Sequence, residues 1–341
     1  MALIVNISNL QKAAKMACRS RKNREEVAEF LEDSERRLLE LQAAVMNGTY
    51  RSSEYRMFVV NEHGKERLVV DLPLYPDRIL HWAICLVVET PLNRKLIDQT
   101  YASRPGVGYH RAVRELSEYM REDSRLKYAL LVDIRHFFPS IDKSILKKLR
   151  AVLKDVRLLE LLDTIIDDYG LLGIPIGNRT SPMLANLYLS ELDHALKERH
   201  HCHYYIRYMD DMVVLGYSKP WLHRIRKVMD GMLSDLGLEM KDNWQVFPIE
   251  SRGVPFLGYR VFPDHVLIRK ATKERMKKAA ERISKEQAAD SGYVMDLHDK
   301  GVVDSYRGAL AWCDGKNLRK RYLDSVMKVN EERIDKRRQD I

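Results

Sequence analysis

Two adjacent carboxylates, Asp210 and Asp211, interrupt a run of aromatic and β-branched residues: HYYIRY (203–208) is followed by MDDMVVLGY (209–217). That pattern predicts strand, tight turn, strand, with the acidic pair at the tip. Burying such charges beside a core costs several kcal/mol each unless they are paired or hold a cation. Hard divalent cations such as Mg2+ take oxygen ligands of this kind. The competing reading is a solvated turn, where Asp is common.

A third carboxylate stands at the end of another apolar strand, KYALLVDI (127–134), within LLVDIRHFFPSID (130–142). Two-metal phosphoryl transfer needs carboxylates that bridge ions roughly 3.5–4 Å apart, and Asp133 is placed to join the pair. A strand-end or helix-capping role is the alternative for Asp133, and core packing for one of Phe137 and Phe138. The segment GIPIGNRTSPMLANLYLSELD (173–193) places Gly173, Pro175 and Gly177 in a turn that lets a substrate approach the backbone. Ser181 is expected to cap the next helix, with Pro182 at its first position. Ala185, Asn186 and Ser190 keep one face of that helix narrow. Taken alone, this segment reads as an ordinary capped helix.

Strands interleaved with helices, flanked by helical ends, predict an α+β fold. Residues 8–46 read as one or two helices with Phe30, Leu31, Leu38, Leu39 and Leu41 at helical spacing, closed at Gly48. A hairpin is expected over 55–72, another over 254–270, and charged helices from 271 onward. The 58 Lys and Arg exceed the 49 Asp and Glu, a formal net charge of +9, which favours a polyanionic partner. The four cysteines form no CxxC pair, as suits a reducing cytoplasm. No run approaches the roughly 18–20 apolar residues of a membrane span, and MALIVNISNL lacks the basic start of a secretory signal. The expectation is a cytoplasmic protein with no membrane partner. HHCHYY (200–205) lacks the spacing of structural zinc ligands. Tyr306 and Trp312 are expected to pack a core rather than stack on bases.

In this order the segments resemble the reverse transcriptase family. DIRHFF is similar to its motif A, GIPIGNRTSP to motif B, YMDD (208–211) to motif C, and GVPFLGY (253–259) to the primer grip. Upstream, KERLVV (65–70) and YASRPGVGYHRAV (101–113) resemble the fingers of bacterial members. The resemblance implies a right-hand polymerase fold: an antiparallel palm sheet, helical and hairpin fingers, and a helical thumb. Its expected parts are an N-terminal helical extension at 1–50, fingers at 51–126 and 142–172, palm at 127–141 and 173–265, and thumb at 266–341.

The resemblance also implies roles. Asp133, Asp210 and Asp211, with the carbonyl of Ile134, would hold two Mg2+ ions, Mn2+ being the alternative. Lys65 and Arg67 would clamp the triphosphate of a dNTP. Phe138 would lie against the sugar and exclude a 2′-hydroxyl, and Ile176 and Gly177 would line the nucleotide site beside Pro175 and Ser181 of the motif B turn. Phe256, Leu257 and Gly258 would form the primer grip. Lys241 is the candidate general acid. The partners implied are a template or noncoding RNA, primer and cDNA, dNTPs, and an accessory protein or partner subunit docking on residues 1–50. The basic helices at 271–286 and 317–339 would grip template–primer phosphates or serve as solvated charged faces. No RNase H or endonuclease domain is expected in the remaining length.

Within the family, IPIGNRTS (174–181) resembles diversity-generating retroelement enzymes, which carry this text where retroviral enzymes place a Gln before the Gly; here that position is Ile176. LGLEMKDNWQVFPI (236–249) and FLGYRVFPDHVLIRK (256–270) resemble the same branch. That branch has Gln after the motif B Ser, whereas this chain has Pro182, as in retrons and group II intron enzymes. The resemblance implies an RNA-directed DNA polymerase of low fidelity, with errors concentrated opposite template adenines. A reverse transcriptase of an antiphage defence system, making cDNA or an untemplated polymer, is the alternative. A non-catalytic RNA-binding scaffold is the third reading, and it has no need of three converging carboxylates.

Overall fold

The expected hairpin at the chain's first strands forms between Arg56–Glu62 and Lys65–Asp71, antiparallel, with Met57 opposite Val70 and Val59 opposite Leu68. The structure is a computed structural model that describes residues 1–19, 21–62, 65–170 and 173–339; the side chain of Lys65 lies outside the described residues. The chain forms two units. One comprises Met1–Gly108, Leu131–Val214 and His223–Gln245, the other Tyr109–Leu130, Leu215–Leu222 and Val246–Ile341.

In the first unit, three helices stand where one or two were expected: Ile7–Arg19, Glu25–Glu32 and Ser34–Met46. Phe30, Leu38 and Leu41 are buried, but Leu31 and Leu39 are 61% and 55% exposed. Leu31 follows buried Phe30 and Leu39 follows buried Leu38 within the same helices, and successive residues lie about 100° apart round a helix, so each turns away from the core. Asp33 sits between the second and third helices at φ −142°, so one periodic stripe cannot continue across it. Gly48 follows the third helix at φ +69°, a left-handed stop that glycine adopts without a Cβ clash. Helix Ile79–Asn93 is apolar almost all round and is correspondingly buried.

A four-stranded sheet runs in the order Tyr205–Tyr208, Asp211–Gly216, Tyr128–Val132, Gln245–Pro248. Its first two strands are the antiparallel hairpin read from the sequence, with Tyr208 opposite Asp211. A second, two-stranded sheet pairs Ile134 with Met240 and Arg135 with Glu239.

The motif B region is helical over Ser181–Tyr188, Ser190–His194 and Ala195–Arg199. Ser181 is not its cap. Thr180 holds that position without a side-chain bond, and Ser181 is already helical and buried.

In the second unit, 254–263 is not one strand. Val254–Phe256 turns at Leu257 and Gly258 into Tyr259–Val261, which then pairs with Val266–Ile268. Leu257 and Gly258 both have positive φ, +48° and +88°, which folds the chain back. The helices that follow, Lys270–Ala289, Leu297–Leu310 and Ser325–Gln339, close on a core that includes Met276, Ile283, Val303, Leu310, Leu323 and Val326. Tyr306 packs against this core as expected. Trp312 does not. It is 41% exposed, stacked on His110 at 4.3 Å, with Arg114 5.0 Å from its ring. The indole gains instead from a cation–π contact with the guanidinium, worth roughly 0.5–1 kcal/mol at an exposed site.

Candidate active site

Asp210 stands at the tip of the hairpin, in a two-residue loop with Met209, and Asp211 begins the returning strand. Met209 has φ +53°, the left-handed conformation that tightens the turn. Asp133 follows strand Tyr128–Val132. Pairing of Ile134 with Met240 brings the next residue, Lys241, alongside Asp133. The Lys241 amide donates to the Asp133 carbonyl at 2.9 Å, and its ammonium donates to Asp133 Oδ2 at 2.5 Å. Asp133 Oδ1 is buried with no hydrogen-bond partner.

Asp210 feels both neighbours. Desolvation by burial, then the negative charges of Asp133 and Asp211, push its carboxyl up to about 7. Asp210 is therefore within electrostatic reach of both Asp133 and Asp211. Among the described residues, no group of three or more His, Cys, Asp or Glu side chains is placed so that it could hold a metal ion. The donor chemistry nevertheless fits hard divalent cations: an orphaned buried carboxylate oxygen beside like-charged carboxylates is relieved by a cation with oxygen preference.

The glycine turn lies between two backbone segments of the same unit. The Val70 amide donates to the Ile176 carbonyl at 2.8 Å, and the Ile174 amide donates to the Phe138 carbonyl at 3.0 Å. A Cβ on Gly177 would lie 2.1 Å from the Val70 carbonyl oxygen, and one on Gly173 2.4 Å from that of Phe138. The turn thus ties the hairpin strand Lys65–Asp71 to the segment that follows Asp133. Pro175 is buried and Ile176 half-buried, while Gly177 is exposed. Phe137 is buried; Phe138 is only half-buried, with the ring centroids 5.6 Å apart. Arg67 is exposed on the hairpin opposite Val60. Phe256, Leu257 and Gly258 belong to the second unit, where the Gly258 carbonyl accepts from the Arg269 amide at 2.9 Å.

A buried network went unread in the sequence. Arg207, fully buried, pairs with fully buried Asp193 at 2.6 Å and reaches Asn186 and the Met209 carbonyl. Its one signal was a lone charge inside an otherwise uncharged strand.

Residues 59–261 match the family described as reverse transcriptase (RNA-dependent DNA polymerase). The chain belongs to the reverse transcriptase family. It is similar to protein YkfC of Escherichia coli strain K12, 25% identical over 278 residues that cover 68% of this chain and 71% of YkfC. It is also similar to the retron Ec73 reverse transcriptase of Escherichia coli, 28% identical over 206 residues, covering 53% of this chain and 64% of that protein. The group II intron-encoded protein LtrA of Lactococcus lactis subsp. cremoris is 24% identical over 172 residues, 47% of this chain and 28% of LtrA. Among solved structures, apo telomerase from Candida Tropicalis superposes with a TM-score of 0.52 at 11% identity, covering 84% of this chain and 58% of that one. That likeness bears on the fold alone, which is the right-hand polymerase fold. The chain spans less than two thirds of the retron enzyme, of LtrA and of the telomerase chain.

Proposed function

We propose that this reverse transcriptase copies a template or noncoding RNA into cDNA by two-metal nucleotidyl transfer. The observation that carries the reading is Asp210 at the hairpin tip, its pKa raised by desolvation and then by the charges of Asp133 and Asp211, beside a buried Asp133 oxygen with no hydrogen-bond partner. Asp133 and Asp210, assisted by Asp211 and the Ile134 carbonyl, would hold divalent ions, Mg2+ or Mn2+. Such ions supply activation of a primer 3′-hydroxyl and neutralisation of triphosphate charge. Lys65 and Arg67 bind the triphosphate from the hairpin, and Phe138 orients the sugar. Lys241 is the proton donor to pyrophosphate. Its ammonium is engaged by Asp133, so donation requires that ion pair to open.

In this reading the N-terminal extension is 1–50, the fingers are 51–126 and 142–172, the palm 127–141 and 173–265, and the thumb 266–341. The thumb's basic helices and the turn at Phe256–Gly258 hold template and primer. An accessory protein docks on the first 50 residues, which present exposed Leu31 and Leu39. No helix among the described residues is long and apolar enough to cross a membrane.

The biological setting we favour is a diversity-generating retroelement with low-fidelity synthesis. Ile176 supports it, because its side chain offers no hydrogen bond near the nucleotide and its carbonyl is already taken by Val70. Losing one polar contact changes discrimination by roughly 1 kcal/mol, several-fold in error rate. An antiphage defence enzyme is the second reading, favoured by Pro182 at the start of helix Ser181–Tyr188 and by the likeness to a retron enzyme. Primer extension on an RNA template with Mg2+ and each dNTP, with sequencing of the product, tests both. Templated cDNA that disappears in Asp210→Ala/Asp211→Ala supports the activity. Errors opposite adenine that shrink in Ile176→Gln support the retroelement setting. Faithful or untemplated product favours defence.

A further inference from the structure

We propose that Arg207 is a positioning residue for Asp210, acting through the peptide between Met209 and Asp210. The proposal rests on reading the carboxylates as the polymerase centre. The Arg207 guanidinium is fully buried, and each of its N–H groups has an acceptor. Nε donates to Asp193 Oδ1 at 2.8 Å and Nη2 to Asp193 Oδ2 at 2.6 Å. Nη2 also donates to the Asn186 carbonyl at 3.3 Å. Nη1 donates to Asn186 Oδ1 at 3.1 Å and to the Met209 carbonyl at 3.1 Å.

The far side of this network is hydrogen-bonded in turn. Asp193 also accepts from the Tyr205 hydroxyl at 2.7 Å and the Thr100 hydroxyl at 3.2 Å. Asn186 donates to the Ala102 carbonyl at 2.8 Å. The Arg207 backbone is held as well, its amide by the Gln99 carbonyl at 3.0 Å and its carbonyl by the Tyr101 amide at 3.1 Å. The Met209 carbonyl is the one acceptor of Arg207 that lies in the acidic turn. Met209 is also the residue whose left-handed backbone, at φ +53°, needs support, because its Cβ crowds the following carbonyl oxygen there. Rotation of this peptide would swing the Asp210 side chain out of register with Asp133.

Stability alone does not explain the pair. Fully buried ion pairs are often replaced by apolar residues without loss of stability. The fork geometry matters instead: a guanidinium can grip Asp193, Asn186 and Met209 together, whereas an ammonium cannot.

The test uses the full-length chain with two variants, Arg207→Met/Asp193→Leu, which removes both buried charges, and Arg207→Lys, which keeps charge opposite Asp193. Thermal melts and template–primer binding select folded protein. Steady-state primer extension then separates kcat from KM, and Mn2+ binding is titrated by EPR against an Asp210→Ala control. The expected result in a folded variant is a kcat lower by roughly 30-fold or more, with KM for dNTP little changed. Mn2+ affinity should fall about 10-fold, as when a residue that orients a metal ligand is lost. A folded variant of either kind with kcat and Mn2+ affinity both close to wild type overturns the proposal. Should the wild type make no templated cDNA, the polymerase reading fails separately, and the Mn2+ titration still decides whether Arg207 places Asp210.

Discussion

Lys241 Nζ lies 2.5 Å from Asp133 Oδ2, so the side chain proposed as a proton donor is also the counter-charge of a carboxylate proposed to bind metal. Both side chains are about one quarter exposed, which leaves the pair worth roughly 1–2 kcal/mol. Lys241→Leu should therefore lower the melting temperature in EDTA, where Asp133 is left facing Asp210. With Mg2+ present the loss should shrink, because a divalent ion replaces the ammonium. Paired melts with and without Mg2+ check this; equal losses in both would show that lysine and cation do not share Asp133.

Gly177 is irreplaceable on geometry. It adopts φ +127°, and a Cβ would meet the Val70 carbonyl oxygen at 2.1 Å. Gly177→Ala should cost roughly 2–3 kcal/mol in urea unfolding and lower activity at least about tenfold, by parting the hairpin from the turn. Gly301, inside helix Leu297–Leu310, faces open space, and a Cβ there would meet nothing within 4 Å. Gly301→Ala should be neutral or stabilising by up to about 1 kcal/mol, and it serves as the control.

The adjacent rings Phe137 and Phe138 should separate cleanly by function. Phe137 is 3% exposed, so Phe137→Ala should cost about 3–5 kcal/mol of stability. Phe138 is half-buried, and Phe138→Ala should keep the fold while admitting rNTPs. Competition between dNTP and rNTP in primer extension decides the second point. An unchanged preference removes Phe138 as the sugar gate.

Acid should weaken the first unit through His81. The ring is 1% exposed, and burial lowers its pKa to about 4, outweighing the opposing charge of Asp77. The unfolded ring titrates near 6.5, so between that pH and about 4 the unfolded state binds a proton that the folded state refuses. Its contribution is complete above pH 6.5 and is lost as pH falls toward 4. Urea midpoints across this range, compared with those of His81→Leu, isolate the effect from that of the carboxylates. Parallel pH curves for the two proteins would refute it.

Much of the site was legible because its signals are local. Alternating aromatic and β-branched residues around Asp210 and Asp211 specify a hairpin, and hairpin geometry places both carboxylates at the tip. Gly173 and Gly177 declared a turn because only glycine tolerates such close backbone approach. Asp133 at the end of an apolar strand was readable for the same reason. The stripe through Leu31 and Leu39 misled because adjacent apolar residues lie about 100° apart round a helix, and only packing decides which of Phe30 and Leu31, or of Leu38 and Leu39, faces the core. Trp312 misled because hydrophobicity reports that a ring can be buried, not that a neighbour will cover it.

The choice of partners across long sequence separations belonged to the tertiary structure. Lys241 reaches Asp133 only because Met240 pairs with Ile134. Arg207 reads in the sequence as an ordinary charge on a strand, yet it sits fully buried against Asp193 and Asn186. Hydrophobic pattern and turn chemistry act over a few residues, so a single chain displays them openly. Desolvation and charge pairing depend on what the folded chain brings within a few ångströms, and that is decided only when distant segments pack.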